Sequence, residues 1–163
     1  MRSEEGEVRS EELTTNSESE TKYLAKSLAP HLRPGDIISL TGDLGAGKTR
    51  FVQGLAEGLG IDEAVTSPTF VIIKEYRGRL PLYHFDVYRL AGPAELVPLG
   101  CDEYFFGVGV TVIEWGDKIT ELLPEDRLTV EIHRTIDSPD RRRLLITAGG
   151  PRAEKLLAEL DKP

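Results

Sequence analysis

An α/β fold, formed as a single domain with a mixed β-sheet flanked by helices, is predicted by three observations on this sequence. First, residues 42–49 read GDLGAGKT, which fits the phosphate-binding pattern G-x-x-x-x-G-K-[ST]. Second, an apolar run over residues 36–41 precedes this segment, and a segment of helical periodicity follows it. Third, a length of 163 residues suits one domain with a substantial core. The order of strand, glycine-rich loop and helix predicts a P-loop NTPase-like domain.

The elements around this loop follow from local patterns. Residues 17–29 are predicted to be helical, and Ser17 and Glu20 fit a capping box at its start. Residues 36–41 come after a Pro-Gly turn and are predicted to form a buried strand. The helix that follows the loop ends at Gly60, and its apolar face carries Phe51, Val52, Leu55, Ala56 and Leu59.

The second half of the chain is predicted to complete the sheet. Two runs rich in β-forming residues, 70–76 and 82–88, flank an Arg-Gly-Arg turn and predict an antiparallel hairpin. A short helix that begins at a proline is expected over residues 93–99, and an amphipathic helix over residues 151–160. Further strands are predicted over residues 108–114, 128–134 and 143–147.

The negative charge of the chain is concentrated near its N-terminus. Residues 1–20 contain seven glutamates and two arginines, which is −5 of the net charge of −8. We therefore expect residues 1–16 to form an acidic, disordered tail and residues 17–163 to form the domain. A chain this acidic is not expected to grip nucleic acid by itself. With no apolar run near the roughly 18 residues of a membrane span and no secretory signal, we expect a cytoplasmic protein without membrane contact.

The glycine-rich loop predicts binding of nucleotide phosphates together with Mg²⁺. Its glycines let successive backbone N–H groups curl around a phosphate, and the following helix adds its positive dipole end. Lys48 is expected to contact the β- and γ-phosphates, and the hydroxyl of Thr49 is expected to bind Mg²⁺. The nucleotide-binding residues predicted in the loop are Gly42, Asp43, Leu44, Gly45, Ala46, Gly47, Lys48 and Thr49.

Two predicted strands end in an acid that could act beside Mg²⁺. Residues 110–114 end in Glu114, and residues 82–86 end in Asp86, with His84 on the same face two residues earlier. Glu114 is expected to bind Mg²⁺ through water or to orient the attacking water, and Asp86 to take the other role. Which acid takes which role stays open, and capping of a neighbouring loop is the alternative for either.

Two further groups lie close to these motifs in the sequence. Thr66, Ser67 and Thr69 follow the helix after the P-loop, where hydroxyl groups could meet the γ-phosphate and Mg²⁺ as switch loops do. A turn leading into a strand is the alternative. Trp115, the only tryptophan, directly follows Glu114, so it is interpreted either as a gate at the site or as an ordinary packed aromatic.

Four segments, taken together and in order, resemble the TsaE family (also called YjeE). They read GDLGAGKT at residues 42–49, SPTF at 67–70, HFDVYR at 84–89 and VIEW at 112–115. The start of the first helix also fits, so the resemblance covers about residues 17–147. A P-loop alone is shared by many families, whereas this set of motifs is far more specific.

The resemblance implies a small bacterial P-loop ATPase of tRNA threonylcarbamoyladenosine biosynthesis. Its ligands would be ATP or ADP and Mg²⁺, and it would hydrolyse ATP slowly alone. Its partners would be TsaD and TsaB, which transfer a threonylcarbamoyl group to the adenosine beside the anticodon of certain tRNAs. The ATPase would reset that complex between turnovers, and it would meet tRNA only through the complex.

The resemblance also assigns expected roles to matching residues. Lys48 and Thr49 would hold phosphate and Mg²⁺, and Glu114 would be the acid associated with the metal. Asp86 and Trp115 match positions that are important for activity. Weaker matches place the start of the first helix, from Ser17 to Thr21, and the region around Arg141 near the nucleotide.

Other functions share the phosphate-binding loop. A small-molecule kinase would need an acceptor pocket and an arginine-rich lid, for which the sequence has no second long insertion. A GTPase would carry an Asn-Lys-x-Asp guanine signature, which the sequence lacks. A non-catalytic, nucleotide-gated interaction module would bind nucleotide and a partner without turnover.

Overall fold

A computed structural model describes residues 9–66 and 73–161 of the chain. The strands in chain order are β1 Arg9–Thr15, β2 Ile37–Gly42, β3 Ile73–Tyr76, β4 Leu82–Asp86, β5 Val110–Glu114, β6 Leu128–Arg134 and β7 Arg142–Ala148. The α-helices are α1 Glu18–Leu28, α2 Lys48–Gly58, α3 Cys101–Phe105 and α4 Pro151–Ala158. Short 3₁₀ segments cover Ala29–His31, Pro93–Glu95, Val97–Leu99 and Gly116–Leu122.

The strands form one sheet in the order β1-β7-β6-β2-β5-β4-β3. Strand β2 pairs in parallel with β5 and β6, and β4 pairs in parallel with β5. The remaining pairs, β1 with β7, β6 with β7 and β3 with β4, are antiparallel. The predicted α/β fold with a mixed sheet is confirmed. Because the four central strands run the same way, β2, β4 and β5 bring Gly42, Asp86 and Glu114 to one edge of the sheet.

Apolar side chains cover both faces of the sheet. On one face, α1, α2 and α4 pack against alternate residues of the central strands, for example Ile38, Leu40 and Val112. On the other face, the segments 87–105 and 119–123, which lie before and after β5, pack on the intervening strand residues, including Phe85 and Ile113. Side chains alternate between the two faces of a strand, so consecutive residues of the buried central strands pack into the two different cores.

The N-terminal segment is where the structure departs most from the sequence prediction. Residues 1–16 were expected to be a disordered tail, but Arg9–Thr15 form β1 at the edge of the sheet. All seven residues of β1 pair with β7, and the hydroxyl of Thr15 meets that of Thr21 at 2.7 Å. The expected tail is therefore wrong for residues 9–15, and residues 1–8 lie outside the described residues.

Within the described residues, most predicted elements agree with the structure to within a few residues, and residues 70–72 of the first predicted hairpin strand lie outside them. The helix expected over residues 93–99 is two 3₁₀ turns, and α3 and the turn Gly116–Leu122 were not predicted. Ser17 caps α1 by accepting the N–H of Glu20 at 3.1 Å, as expected. The carboxylate of Glu20 accepts the N–H of Asn16 at 2.8 Å, so it reaches one residue beyond the cap.

Over residues 9–66 and 73–161, none of the helices combines the length and the apolar character that a membrane crossing requires.

Candidate nucleotide-binding site

The loop between β2 and α2 is held in a conformation that depends on glycine. Gly42, Gly45 and Gly47 have φ angles of 119°, 74° and 109°, in the left-handed region that side chains disfavour. A Cβ on Gly42 would also lie 2.0 Å from the carbonyl oxygen of Ile132. The first glycine is therefore required twice, for its dihedral angle and for the close approach of β6.

Two arginines from β6 and β7 support this loop from outside. The backbone N–H of Arg134 donates to the Asp43 carboxylate at 3.0 Å, and its side chain donates to the Gly45 carbonyl at 3.2 Å. Arg142 donates from Nε to the carbonyl of Ala46 at 2.8 Å. The hydrogen bond from Arg134 is the main reason that the pKa of Asp43 is lowered. Because these arginines donate to oxygen atoms of the loop, they fix its conformation without using its N–H groups.

Lys48 opens α2 and turns back toward the loop. Its side chain is buried, with 5% of its surface exposed, and Nζ donates to the carbonyls of Gly42 at 3.1 Å and Asp43 at 2.6 Å. Burial lowers the pKa of Lys48, and the nearby Glu114 carboxylate partly opposes this shift. The ammonium group is thus placed at the amino end of α2, where the helix dipole also favours an anion.

Glu114, at the end of β5, connects the P-loop helix with β4. The hydroxyl of Thr49 donates to its two carboxylate oxygens at distances of 3.1 and 3.2 Å. Nε2 of His84 lies 2.7 Å from Oε2 of Glu114, and both side chains are buried. Because a carboxylate accepts, this contact indicates that His84 carries its proton on Nε2. His84 Nδ1 has no hydrogen-bond partner among the described residues.

Asp86 lies beside Glu114 on the neighbouring parallel strand. Its Oδ1 accepts the N–H of Tyr88 at 3.0 Å. Burial raises the pKa of Asp86, and the Glu114 carboxylate raises it further, while the hydrogen bond from Tyr88 acts in the opposite direction. Two neighbouring acids thus lie at the carboxyl ends of β4 and β5, where the sequence pattern had placed each of them. Their geometry does not assign Mg²⁺ binding to one acid and water orientation to the other.

These groups face a cleft with a volume of about 550 Å³. Of the residues predicted from the sequence, ten line it: Thr21, Leu44, Gly45, Ala46, Gly47, Lys48, Thr49, Asp86, Glu114 and Trp115. Two lining residues, Arg50 and Tyr88, were missed by the sequence reasoning. The other four belong to regions that the family resemblance placed near the nucleotide, namely the start of the first helix (Ser17 and Glu18) and the surroundings of Arg141 (Asp140 and Arg142).

Several predicted residues lie elsewhere. Gly42 and Asp43 form the base of the loop behind the lining, and His84 is buried behind Glu114. Arg141 is not part of the lining; its guanidinium donates to Asn16 and Asp137, and the next residue, Arg142, faces the cleft instead. Thr66 is exposed and outside the lining, and Ser67 and Thr69 lie outside the described residues.

The choice between Arg141 and Arg142 could not be made from the triple-arginine sequence. Residue 141 precedes β7, whereas residue 142 is its first residue and has its guanidinium against the P-loop. A strand boundary placed one residue earlier in the prediction would have included Arg142. Strand boundaries differ by one or two residues between assignments, so the local sequence could not indicate which arginine contacts the P-loop.

The donor set suits a hard divalent cation held jointly with phosphate. Within residues 9–66 and 73–161, no group of three or more His, Cys, Asp or Glu side chains could hold a metal ion alone. The Thr49 hydroxyl and the Glu114 carboxylate do supply adjacent oxygen donors at the mouth of the P-loop. Mg²⁺ is commonly held by one or two protein oxygens plus substrate phosphates, so the residues present fit that metal.

Comparison with known proteins identifies the family. A family model described as "Threonylcarbamoyl adenosine biosynthesis protein TsaE" matches residues 15–144. The chain belongs to the TsaE family. The resemblance seen in the sequence motifs is confirmed, and the family is one of tRNA threonylcarbamoyladenosine biosynthesis proteins.

Two TsaE relatives match this chain over most of their length. The tRNA threonylcarbamoyladenosine biosynthesis protein TsaE of Bacillus subtilis is 53% identical over 150 residues, which is 91% of this chain and 92% of the relative. The protein of the same name from Streptomyces coelicolor is 44% identical over 137 residues, covering 80% and 92%. The crystal structure of Bacillus subtilis YdiB superposes with a TM-score of 0.82 at 47% identity, covering 94% of this chain and 95% of that one. The P-loop NTPase-like fold of this TsaE-family chain is thereby confirmed.

Proposed function

We propose that the protein is a Mg²⁺-dependent ATPase, weak by itself, that supports threonylcarbamoyl modification of the adenosine beside the anticodon of tRNA. Its partners would be TsaD and TsaB, with tRNA met only through their complex. The observation that carries the proposal is the convergence of Lys48, Thr49 and Glu114 at the amino end of α2, inside one cleft.

Each residue in this arrangement has a role that its chemistry supports. Lys48 would contact the β- and γ-phosphates, and the amino end of α2 would favour their charge. Thr49 and Glu114 would hold Mg²⁺, which offsets phosphate charge when bound. Asp86 would orient the attacking water, or exchange that task with Glu114. Thr21 and Arg142 also line the cleft and suit contacts to the rest of the nucleotide.

The arginines in the cleft support slow turnover by the isolated protein. Arg50 donates to Glu18 and Gln53, and Arg142 donates to loop carbonyls, so both guanidinium groups are engaged by the protein itself. An arginine aimed at the transferred phosphate, when a partner supplies it, accelerates hydrolysis by about 10³–10⁵-fold in other P-loop enzymes. We infer that the TsaB–TsaD complex completes this site on docking.

The test is steady-state ATP hydrolysis by the protein alone and with the TsaB–TsaD heterodimer plus tRNA. We expect slow hydrolysis alone, clear stimulation by the partners, and loss of both in Lys48→Ala and Glu114→Gln. Lys155→Ala is the matched control, because Lys155 is exposed on α4 and remote from the cleft. Binding of ATP without turnover under any condition would instead favour the nucleotide-gated interaction module.

Phosphate transfer to small acceptors gives a second check on the assignment. If the partners leave hydrolysis unchanged while nucleosides or small alcohols become phosphorylated, the protein is a kinase and the proposed ATPase role is wrong.

A further inference from the structure

The ammonium of Lys48 has three N–H donors, and three groups of the protein contact it. Nζ donates to the carbonyls of Gly42 and Asp43. Nζ also lies 3.9 Å from the ring centroid of Trp115. At this distance an ammonium group is attracted by the negative face of an indole. A nucleotide phosphate that approaches Lys48 therefore meets an ammonium that already contacts two carbonyls and an indole.

Trp115 is placed for this contact by its backbone. Its φ of 65° makes it the only non-glycine residue with positive φ in the described part of the chain. Its N–H donates to the carbonyl of Leu40 at 2.8 Å, which ties it to the carboxyl end of β2 beside the P-loop. A bulky residue in the left-handed region is uncommon, and such conformations concentrate at functional sites.

A second aromatic residue stacks beside the indole. The ring of Tyr88 lies 4.8 Å from that of Trp115, centroid to centroid, with an angle of 44° between the planes. The carbonyl of Tyr88 accepts a hydrogen bond from Lys118 at 2.7 Å, which holds the segment that carries Tyr88. The indole is therefore supported at a defined position against Lys48.

Of the three groups that contact the ammonium, the indole is the one that a phosphate can displace. The carbonyls of Gly42 and Asp43 belong to the backbone of the loop that would surround the phosphate, and Arg134 holds this loop at the Asp43 carboxylate and the Gly45 carbonyl. The indole is a half-buried side chain at the edge of the cleft, and rotation about its own bonds can move it. Exchange of the indole for a phosphate oxygen leaves the loop unchanged.

We propose that the indole of Trp115 competes with nucleotide phosphate for the ammonium of Lys48. In the nucleotide-free protein the ring holds Lys48 against the loop carbonyls, and phosphate binding displaces it. Trp115 is thus a positioning residue that limits nucleotide affinity and moves when the site fills. This inference rests on the proposed nucleotide binding and adds a conformational response to it.

The single tryptophan of the chain allows a direct test. Protein is prepared with tryptophan, 5-fluorotryptophan or 5,7-difluorotryptophan, which weaken the negative ring face stepwise with little change of shape. Binding of ATP with Mg²⁺ is measured by calorimetry, which does not depend on tryptophan emission. Tryptophan emission is recorded separately in the unlabelled protein. Trp115→Leu removes the ring face entirely, and thermal unfolding confirms that each variant is folded.

We expect ATP affinity to rise with each fluorine and to rise about two- to thirtyfold in Trp115→Leu, the range given by typical cation–π strengths. Trp115→Phe, which keeps a weaker ring face, should lie between Trp115→Leu and the unsubstituted protein. The emission of Trp115 should shift when ATP binds. A ring that merely lines the cleft would not produce a graded dependence on fluorine.

Contrary outcomes separate the two proposals. If ATP binds but its affinity is independent of fluorination, or falls with it, the competition is wrong while nucleotide binding stands. An emission spectrum that ATP leaves unchanged, despite binding seen by calorimetry, would also contradict displacement of the ring. If calorimetry detects no ATP binding, the proposed function fails and the competition fails with it.

Discussion

Two carboxylates lie at opposite ends of the neighbouring parallel strands β2 and β5, and they have equal burial and different partners. Asp36 precedes β2, Glu114 ends β5, and each keeps 4% of its surface exposed. Arg152 donates to the two oxygens of Asp36, each at 2.8 Å, and the N–H of Arg33 adds a third bond at 2.7 Å. In the described part of the chain, Glu114 has no lysine or arginine within 4 Å and is held by Thr49 and His84.

The difference shows how the same degree of burial can serve stability or function. A carboxylate paired bidentately with arginine has its charge balanced inside the protein, so Asp36 anchors α4 to the start of β2. Glu114 has donors that orient its oxygens, and the nearby ammonium of Lys48 interacts with it without forming an ion pair within 4 Å. A buried acid without a direct ion-pair partner is a candidate ligand for an added cation, and Asp86 beside it increases the local negative charge.

The largest expected effect comes from removal of the cation that balances Asp36. Arg152→Met should lower the free energy of unfolding by about 3 kcal/mol, because it leaves a buried carboxylate without its charged partner. For a domain of this size that loss corresponds to roughly 6–12 °C in Tm. Urea denaturation and thermal unfolding provide the measurement. ATP affinity should not change, since Arg152 lies at the other end of the strands.

Arg33→Met is the matched control for this change. The side chain of Arg33 is exposed, and only its backbone N–H contacts Asp36, so its replacement should alter stability by less than about 0.5 kcal/mol. Equal losses in the two variants would mean that the guanidinium of Arg152 is not what stabilises Asp36.

A smaller loss is expected when Glu114 loses one of its orienting donors. His84→Leu removes the hydrogen bond to Oε2 and should cost about 1.5 kcal/mol, near the lower end for bonds to charged groups. The loss stays at that lower end because the same change removes the unpartnered Nδ1 of His84. His31→Leu, which breaks only the exposed contact with Glu159, should stay within about 0.5 kcal/mol in the same urea titration.

If His84→Leu proved as stable as the unsubstituted protein, Glu114 would not depend on the imidazole for its placement. The contrast with Asp36 would then lie in charge balance alone, without a contribution from orientation.

The smallest effect concerns Asp86 and has the opposite sign. Because folding raises the pKa of Asp86, its ionisation opposes folding at neutral pH. Asp86→Asn should therefore stabilise the protein by about 0.5 kcal/mol near pH 7. The gain should shrink as the pH falls through the raised pKa and vanish below the ordinary value of 3.8, where Asp86 is protonated in both states.

Thermal unfolding across this pH range, with Asp62→Asn as an exposed control, measures the effect of Asp86→Asn. A gain that persists unchanged at low pH would show that the amide packs better in the site and that charge is not the cause.

Local sequence patterns were sufficient for the fold and for the chemical groups of the site. The P-loop, the strands that end in Asp86 and Glu114, and the helix after the loop each carry their signal within a few residues. The family resemblance added the connection between these segments. The structure then brought Lys48, Thr49 and Glu114 together, because parallel strands end at the same edge of a sheet.

Features that depend on distant pairing were missed. Strand β1 has one large apolar residue, Leu13, on its inward face, so its polarity resembles that of a tail. It is ordered by pairing with β7, which lies more than 120 residues away along the chain. The bond between Asp36 and Arg152 and the contact between Lys48 and Trp115 likewise join residues from separate elements. The local periodicity of the sequence carries no information about such distant pairs.

The most direct test of the central contrast is the Mg²⁺ dependence of ATP binding, measured by calorimetry with and without Mg²⁺. Asp36→Asn and Glu114→Gln each remove one carboxylate charge of equal burial. We predict that Mg²⁺ tightens ATP binding in the unsubstituted protein and in Asp36→Asn, and that Glu114→Gln loses this tightening. Retention of the full Mg²⁺ dependence in Glu114→Gln would contradict the account, because the carboxylate of Glu114 would then have no part in holding the cation.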